Sequence, residues 1–312
     1  MMKKFIRQLT AVTLGATMIF SLAGCGTQEA ASAPAAEEAA PAAPAEEETA
    51  AAEPEETVAE EAVTEETEGS LDGALSGVTL KVGTSGLFAP FSYYDEDGTT
   101  LIGYDLDFLY ALQDLLGFEI DSSVQAMDYS ALTTSLAEGK LDMGMAALCA
   151  TDERKEVMNF SDTYYDSGQI LCINTETSPA ELKSVEDLKS GDYIVAVEKG
   201  TASHLYCTNN GVPEAALQVH DTITTAYESL EQGKVDCLIQ DTPGLAYYIK
   251  TTEGSKLAMT GDEFNQGQAP YAIAISFDCS DANPEIVSII NEGIAELTAN
   301  GTMEQLRVKW CE

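Results

Sequence analysis

Apolar and polar residues alternate along "VTLKVGTS" (78–85), the pattern of a half-buried β-strand. "GLFAPFSYYDEDGT" follows without a sustained period and carries an Asp97-Gly98 turn signal, so a loop is expected. In "GYDLDFLYALQDLLG" the apolar residues fall at 106, 108, 109, 112, 115 and 116. That spacing predicts an amphipathic helix, with Gly117 as its stop. "FEIDSSVQ" reads as a second strand, "YSALTTSLAEG" as a helix ending at Gly139, and "LDMGMAAL" as a third strand. Strand–helix–strand–helix–strand predicts a parallel sheet covered by helices.

The same order recurs downstream. "DYIVAVEKG" is a strand, "TASHLYCTN" a helix, "ALQVHD" a strand, "TTAYESLEQG" a helix, "KVDCLIQD" a strand and "TPGLAYYIKT" a helix. Two near-copies of one octapeptide mark equivalent steps: "SLAEGKLD" from Ser135 to Asp142 and "SLEQGKVD" from Ser229 to Asp236. The phrase is either a chance recurrence of a common helix-to-strand connection or the mark of two similar lobes. The matching element order around both copies favours two lobes, each bringing a strand to a shared site. "YAIAIS" (271–276) adds a strand, and "EIVSIINEGIAELTANGTMEQLRVKW" adds helices that complete the first lobe. The chain is expected to cross between lobes near 164–170 and 266–271, and two crossovers make a hinge.

Not all 312 residues suit a fold. Lys3, Lys4 and Arg7 precede an apolar run that closes on "LAGC", Leu22 to Cys25. This is a signal peptide rather than a membrane span. Residues 26–75 contain 15 Asp and Glu, no Lys or Arg, and almost no large apolar side chains. Such a segment cannot offset its ordering entropy, so a flexible tether is expected, spanning roughly 40 Å or more. The folded part is therefore placed at 76–312. With 15 basic and 53 acidic residues overall, removing three basic residues (1–25) and 15 acids (26–75) leaves 12 and 38, a net −26. Nucleic acid and anionic headgroups are excluded as ligands by that charge. Cys149, Cys172, Cys207, Cys237, Cys279 and Cys311 show no metal-ligand spacing, and their pairing is left open. Two histidines, His204 and His220, leave little material for a metal site or a Ser-His-Asp triad, and no cofactor is expected.

In open α/β sheets ligands bind beyond the carboxyl ends of the strands. "LDMGMAAL" runs into "CATDER", which contains Arg154, one of two arginines outside the signal; the other is Arg307. A cation in a first helical turn opposes the helix dipole, so Arg154 needs another reason: a carboxylate ligand, or a salt bridge to Asp152 or Glu156. "VDCLIQ" runs into Asp241, which either holds an ammonium or caps the helix starting at Thr242-Pro243. Together a cation and an anion across a cleft complement a zwitterion. Gly200-Thr201 opens a helix whose first N–H groups suit an anion or simply need a cap. Phe88 and Tyr129 follow strand ends, where they either stack on a ligand or pack.

These segments, in this order, resemble the extracellular solute-binding proteins of polar amino-acid ABC importers, the family-3 class. The resemblance rests on "KVGTSGLFAPFSYYDEDG", "GYDLDF", "LAEGKLDMGMAAL", "TDERKEVMNFSDTYYDSGQ", "VAVEKGTASH", "SLEQGKVDCLIQDTP" and "NGTMEQLRVKW". It implies an α/β, two-lobed, periplasmic-binding-protein-like fold of type II, with two hinge strands and a ligand cleft. Residues 76–166 with 270–312 would form one lobe and 167–269 the other. By the same resemblance Arg154 clamps the α-carboxylate, assisted by Thr201 and the Ala202 amide. Asp241 and the Ala147 carbonyl take the α-ammonium. Phe88 and Tyr129 sandwich the side chain, and Ser85 and Gln240 face its pocket. "LAGC" resembles a lipobox, implying a lipid on Cys25 and a membrane-anchored, extracytoplasmic monomer that serves an ABC permease.

Two departures stand out. Cys149 replaces the usual Ser or Thr, and its thiol is a weak donor. Ser85 replaces an acid found in binders of cationic side chains. Without that acid a lysine or arginine ligand lacks its counter-charge, and Arg307 lies in the C-terminal helix, so an acidic side chain lacks a partner too; a neutral, polar or moderately apolar L-amino acid is expected. The cleft offers no clear catalytic acid beyond Asp241. An enzyme of the cyclohexadienyl-dehydratase type and a sensory lipoprotein are the alternatives.

Overall fold

The computed structural model describes residues 71–268 and 270–312. The signal, Cys25 and the tether up to residue 70 lie outside the described residues. The expected tether end at 75 needs correction. Leu75 is buried in the core, and Gly73 and Leu75 donate main-chain hydrogen bonds to the Leu115 and Leu116 carbonyls. The two leucines of "LDGAL" cover the end of a helix, which holds this stretch in the fold.

The first series begins with β1 (Thr79–Leu80) and β2 (Val82–Thr84). The expected loop contains a small antiparallel meander, β3 (Leu87–Phe88), β4 (Ser92–Tyr94) and β5 (Leu101–Ile102). Its aromatic residues pair across strands, a preference that short-range periodicity did not reveal. Helix α1 (Tyr104–Leu116) ends at Gly117, whose φ of 77° is the left-handed stop inferred from the sequence. Its apolar stripe, including Phe108, Leu109, Leu112 and Leu116, packs against the C-terminal helices. Each such side chain contributes about 1.5–3 kcal/mol on burial. Then come β6 (Glu119–Ile120), β7 (Gln125–Ala126), α2 (Tyr129–Ala137) and β8 (Met143–Gly144). The short helix α3 (Asp152–Lys155) leads to β9 (Met158–Tyr165).

The chain now leaves for the second series: β10 (Gln169–Asn174), β11 (Val195–Glu198), α4 (Ala202–Asn209), β12 (Leu217–His220), α5 (Ile223–Glu231), β13 (Cys237–Asp241), α6 (Thr242–Thr251) and β14 (Leu257–Phe264). It returns through β15 (Tyr271–Ser276) to α7 (Phe277–Ala282), α8 (Ile286–Ala299) and α9 (Thr302–Cys311).

Two five-stranded sheets result, in the orders β7-β2-β8-β15-β9 and β12-β11-β13-β10-β14. Each has three parallel strands from one series, then two antiparallel strands. In both, the fourth strand is the one that has just arrived from the other sheet. The sheets are thus mixed rather than wholly parallel, because a returning hinge strand must enter in the opposite direction.

The octapeptide does the same work twice. Gly139 and Gly233 adopt φ of 66° and 64°, conformations that suit glycine. Around them Lys140 and Lys234 donate to the Ser135 and Ser229 carbonyls, closing each helix with a Schellman motif. Leu136 and Leu230 are fully buried. Asp142 and Asp236 then tie the third strand to the first: each carboxylate accepts from a main-chain N–H, of Lys81 and of Ile194 respectively, at 2.7 Å. Their own N–H groups donate back to the same residues' carbonyls at 2.9 Å.

Candidate functional site

The carboxyl ends of the parallel strands in both sheets converge on one enclosed pocket. Ser85 follows β2, Tyr129 opens the helix after β7, and Ala147 and Cys149 follow β8. From the other sheet come Glu198 at the end of β11, Thr201 and Ala202 at the start of α4, Ile223 after β12, and Gln240 and Asp241 closing β13. Phe88 of the meander completes the wall.

Arg154 is buried beside this pocket. Thr151 caps its short helix, accepting from the Arg154 N–H at 3.4 Å. The guanidinium does not pair with Asp152, which holds Lys155 instead. It donates from Nη1 to the Cys149 carbonyl at 2.6 Å and from Nη2 to the Gly200 carbonyl at 2.8 Å. One fork therefore bridges the two sheets. Its carbon lies 5.2 Å from the centre of the Tyr129 ring, a cation–π distance. Burial works against the charge, but neighbouring Tyr129 and Cys149 leave the guanidinium fully protonated.

Asp241 precedes α6, yet its side chain makes no capping bond. It accepts from the Tyr271 hydroxyl at 2.8 Å, from Gln169 Nε2 at 3.2 Å and from the Cys149 thiol at 3.8 Å. Tyr271 and Cys149 come from the first sheet's side, so this carboxylate also spans the cleft. Burial raises its pKa, and those donors oppose the rise. The Cys149 thiol is itself held well above its usual range, first by burial and then by Asp241. It is a neutral donor there rather than a nucleophile.

Ala147 sits at φ 48°, a costly conformation for a residue with a Cβ. Its N–H donates to Asp105 Oδ2 at 2.7 Å, while the Tyr164 hydroxyl donates to Asp105 Oδ1 at 2.8 Å. Asp105 is fully buried, and desolvation lifts its pKa to about 6. The "GYDLDF" segment thus anchors the Ala147 N–H beside the pocket.

The remaining residues are placed as follows. The Thr201 hydroxyl donates to the Glu198 carbonyl at 2.8 Å and accepts from the His204 N–H at 3.3 Å. Its side chain is spent on capping α4, leaving the helix's first N–H groups, including that of Ala202, for an anion. Ser85 Oγ accepts from the Leu87 N–H, and Gln240 Oε1 from the Asp241 N–H. Phe88 stacks on Phe91 and lies across the cleft from Gly244 of α6.

One expectation fails here. The cleft does hold an acid besides Asp241: Glu198, 8% exposed, which lines the pocket. Desolvation pushes its pKa to about 8, opposed by a hydrogen bond from the Ile223 N–H and reinforced by Asp241 and Asp128. Reading strand ends, as was done for Cys149 and Asp241, would have found it in "VAVE", one residue ahead of Gly200-Thr201. Gln169 and Tyr271 carry no such signal, because they become site residues only through the hinge crossings.

All six cysteines from Cys149 to Cys311 are free. Among the described residues no cluster of His, Cys, Asp and Glu is arranged to hold a metal, and no helix is long and apolar enough to cross a membrane.

The family model of bacterial extracellular solute-binding proteins, family 3, matches residues 80–312. The L-cystine-binding protein TcyJ of Escherichia coli is 28% identical over 243 residues, covering 78% of this chain and 86% of that protein. Among solved structures, an ancestral arginine-binding protein bound to arginine superposes with a TM-score of 0.65 at 30% identity, covering 75% of this chain and 98% of the other. An ancestral amino acid-binding protein, a precursor of cyclohexadienyl dehydratase, gives a TM-score of 0.64 at 28% identity over 75% and 95% of the two chains.

Proposed function

The chain belongs to the bacterial extracellular solute-binding proteins of family 3, and from that membership and the pocket we propose that it captures a free L-amino acid for an ABC permease. The observation that carries this reading is the opposed pair: a buried guanidinium beside the pocket and a buried carboxylate lining it. Arg154 and the first N–H groups of α4 receive the α-carboxylate. Asp241 and the Ala147 carbonyl receive the α-ammonium. Phe88 and Tyr129 flank the side chain, with Ser85, Cys149 and Gln240 around it. The relatives named above bind cystine and arginine, which supports an amino acid as the class of ligand.

Capture proceeds by population shift. Arg154 and Asp241 each contact both sheets, so a ligand touching both groups favours the closed arrangement through its differential contacts. The hinge is formed by the crossings between β9 and β10 and between β14 and β15, with 71–166 plus 270–312 as one lobe and 167–269 as the other. A lipid on Cys25 and the acidic tether keep the monomer within reach of its permease on the extracytoplasmic face. The neutral side chain expected from Ser85 loses its premise, because Glu198 supplies an acid from the opposite lobe.

A thermal-shift screen against the twenty amino acids and cystine tests the reading. A ligand at a hundred times its dissociation constant adds about 2.7 kcal/mol of stability. No shift with any of them would remove amino-acid capture. Glu198, partly protonated near neutral pH, also gives a second reading some support: a dehydratase-like enzyme on the same scaffold. Product formation from arogenate or prephenate distinguishes it from a binder.

A further inference from the structure

With Arg154 and Asp241 matched to the ligand's own carboxylate and ammonium, one charged-type group in the pocket has no counterpart. Glu198 ends β11 and reaches the pocket beside the start of α5, where the Ile223 N–H donates to it. The groups whose charges bear on it are Asp241 after β13 and Asp128 before α2, both acids. Tyr129 of α2 and Tyr227 of α5 are close enough for its charge to act on theirs. Glu198 forms no ion pair among the described residues, and the Arg154 guanidinium is directed at the Cys149 and Gly200 carbonyls. A glutamate this buried, near two acids and without a cation, has no evident structural purpose. Gln or Leu would fill the same volume without the cost of burying an ionisable group.

We propose that Glu198 is a specificity-determining residue that receives a protonated amine or guanidinium at the end of the substrate's side chain. The inference rests on amino-acid capture at Arg154 and Asp241 and names the class of amino acid. The backbone charges of the substrate then neutralise Arg154 and Asp241, and its third charge meets Glu198. The acid sits on the second lobe, so the side-chain contact also rewards closure. Ser85, in the other lobe, contributes a hydroxyl in place of a charge.

The binding step has a proton signature. Burial keeps Glu198 largely protonated in the empty pocket near neutral pH. A cationic side chain favours the carboxylate, so the proton on Glu198 leaves to solvent as the ligand enters. Affinity for such a ligand rises with pH up to about 8 and then levels. A neutral ligand leaves the proton in place.

The test is calorimetry on the lipid-free exported protein with ornithine, lysine and arginine against norvaline, norleucine and citrulline. At least one cationic amino acid should bind about tenfold or more tightly than its neutral counterpart, as expected for a charge-assisted contact. Repeating the titration in buffers of different ionisation enthalpy near pH 7 should show a released proton for the cationic ligand only. In Glu198→Gln both the preference and the proton release should vanish. A cooperative melting curve shows that the variant is folded, and Glu198→Asp should recover part of the preference. Binding of the neutral series without a cationic preference overturns the role of Glu198 and leaves amino-acid capture standing. A cationic preference that survives Glu198→Gln also overturns it. If neither series binds, the role of Glu198 falls, and amino-acid capture stands or falls with the thermal-shift screen.

Discussion

Arg154→Met keeps the aliphatic stem that packs beside Tyr129 and deletes the guanidinium fork. In the structure that fork makes two bonds, at 2.6 and 2.8 Å, to carbonyls contributed by opposite sides of the cleft. The substitution therefore removes the proposed carboxylate clamp and a strut that favours closure. Hydrogen bonds to a charged group contribute about 1.5–3 kcal/mol each, and breaking one side of a buried pair costs about 3–5 kcal/mol. At about 1.4 kcal/mol per decade, Kd for the best amino acid should weaken roughly 100- to 4,000-fold. Arg154→Lys should fall between, because it keeps the charge but not the planar fork. Calorimetry measures Kd, and a melting curve on each variant confirms folding. A folded Arg154→Met that binds within about fivefold of the parent would refute the clamp, since even one charge-assisted bond exceeds that.

Asp241→Asn should weaken amino acids by more than it weakens their deaminated analogues; equal losses in a competition titration would contradict the ammonium role. Gly244→Ala places a Cβ 2.2 Å from Phe88 Cε2. It should hold the lobes apart, visible as a larger radius of gyration with ligand present, and Phe88→Ala should restore closure. Glu198 has a folded pKa of about 8, raised from 4.5 by burial. Its protonated form is favoured on folding, so the stability it contributes is full below about pH 4.5 and is lost as pH rises through about 8. Glu198→Gln should remove that slope in urea melts, a difference of up to roughly 4–5 kcal/mol between pH 4 and 9. An unchanged slope would place the titration elsewhere.

How far the sequence could be read depended on the range of the interaction. Helix α1 and its stop at Gly117 were legible because a 3.6-residue period and a left-handed glycine are written in neighbouring positions. The octapeptide was legible for the same reason, and its helix endings at Gly139 and Gly233 fell where the local pattern put them. Its two aspartates were not explained by it. Asp142 and Asp236 act through strands that begin 61 and 42 residues away, at Lys81 and Ile194. The meander at β3–β5 and the strands β9, β10 and β14 were missed, since cross-strand partners rather than local period hold them.

By itself, the sequence determined the alternation of strands and helices, the duplication of that order, and the strand ends from which Cys149, Arg154, Gln240 and Asp241 project. Those follow from periodicity, capping residues and turn glycines, all of which act within a few residues. Only the tertiary structure decided what those ends face. It set Tyr271 and Gln169 on Asp241, spread Arg154 across Cys149 and Gly200, and turned Glu198 into the same pocket. Each of these depends on a hinge crossing or on two sheets closing on one space. Burial is a property of the assembled lobes: it raises the pKa of Glu198 and gathers one guanidinium and two carboxyl groups where the sheets meet.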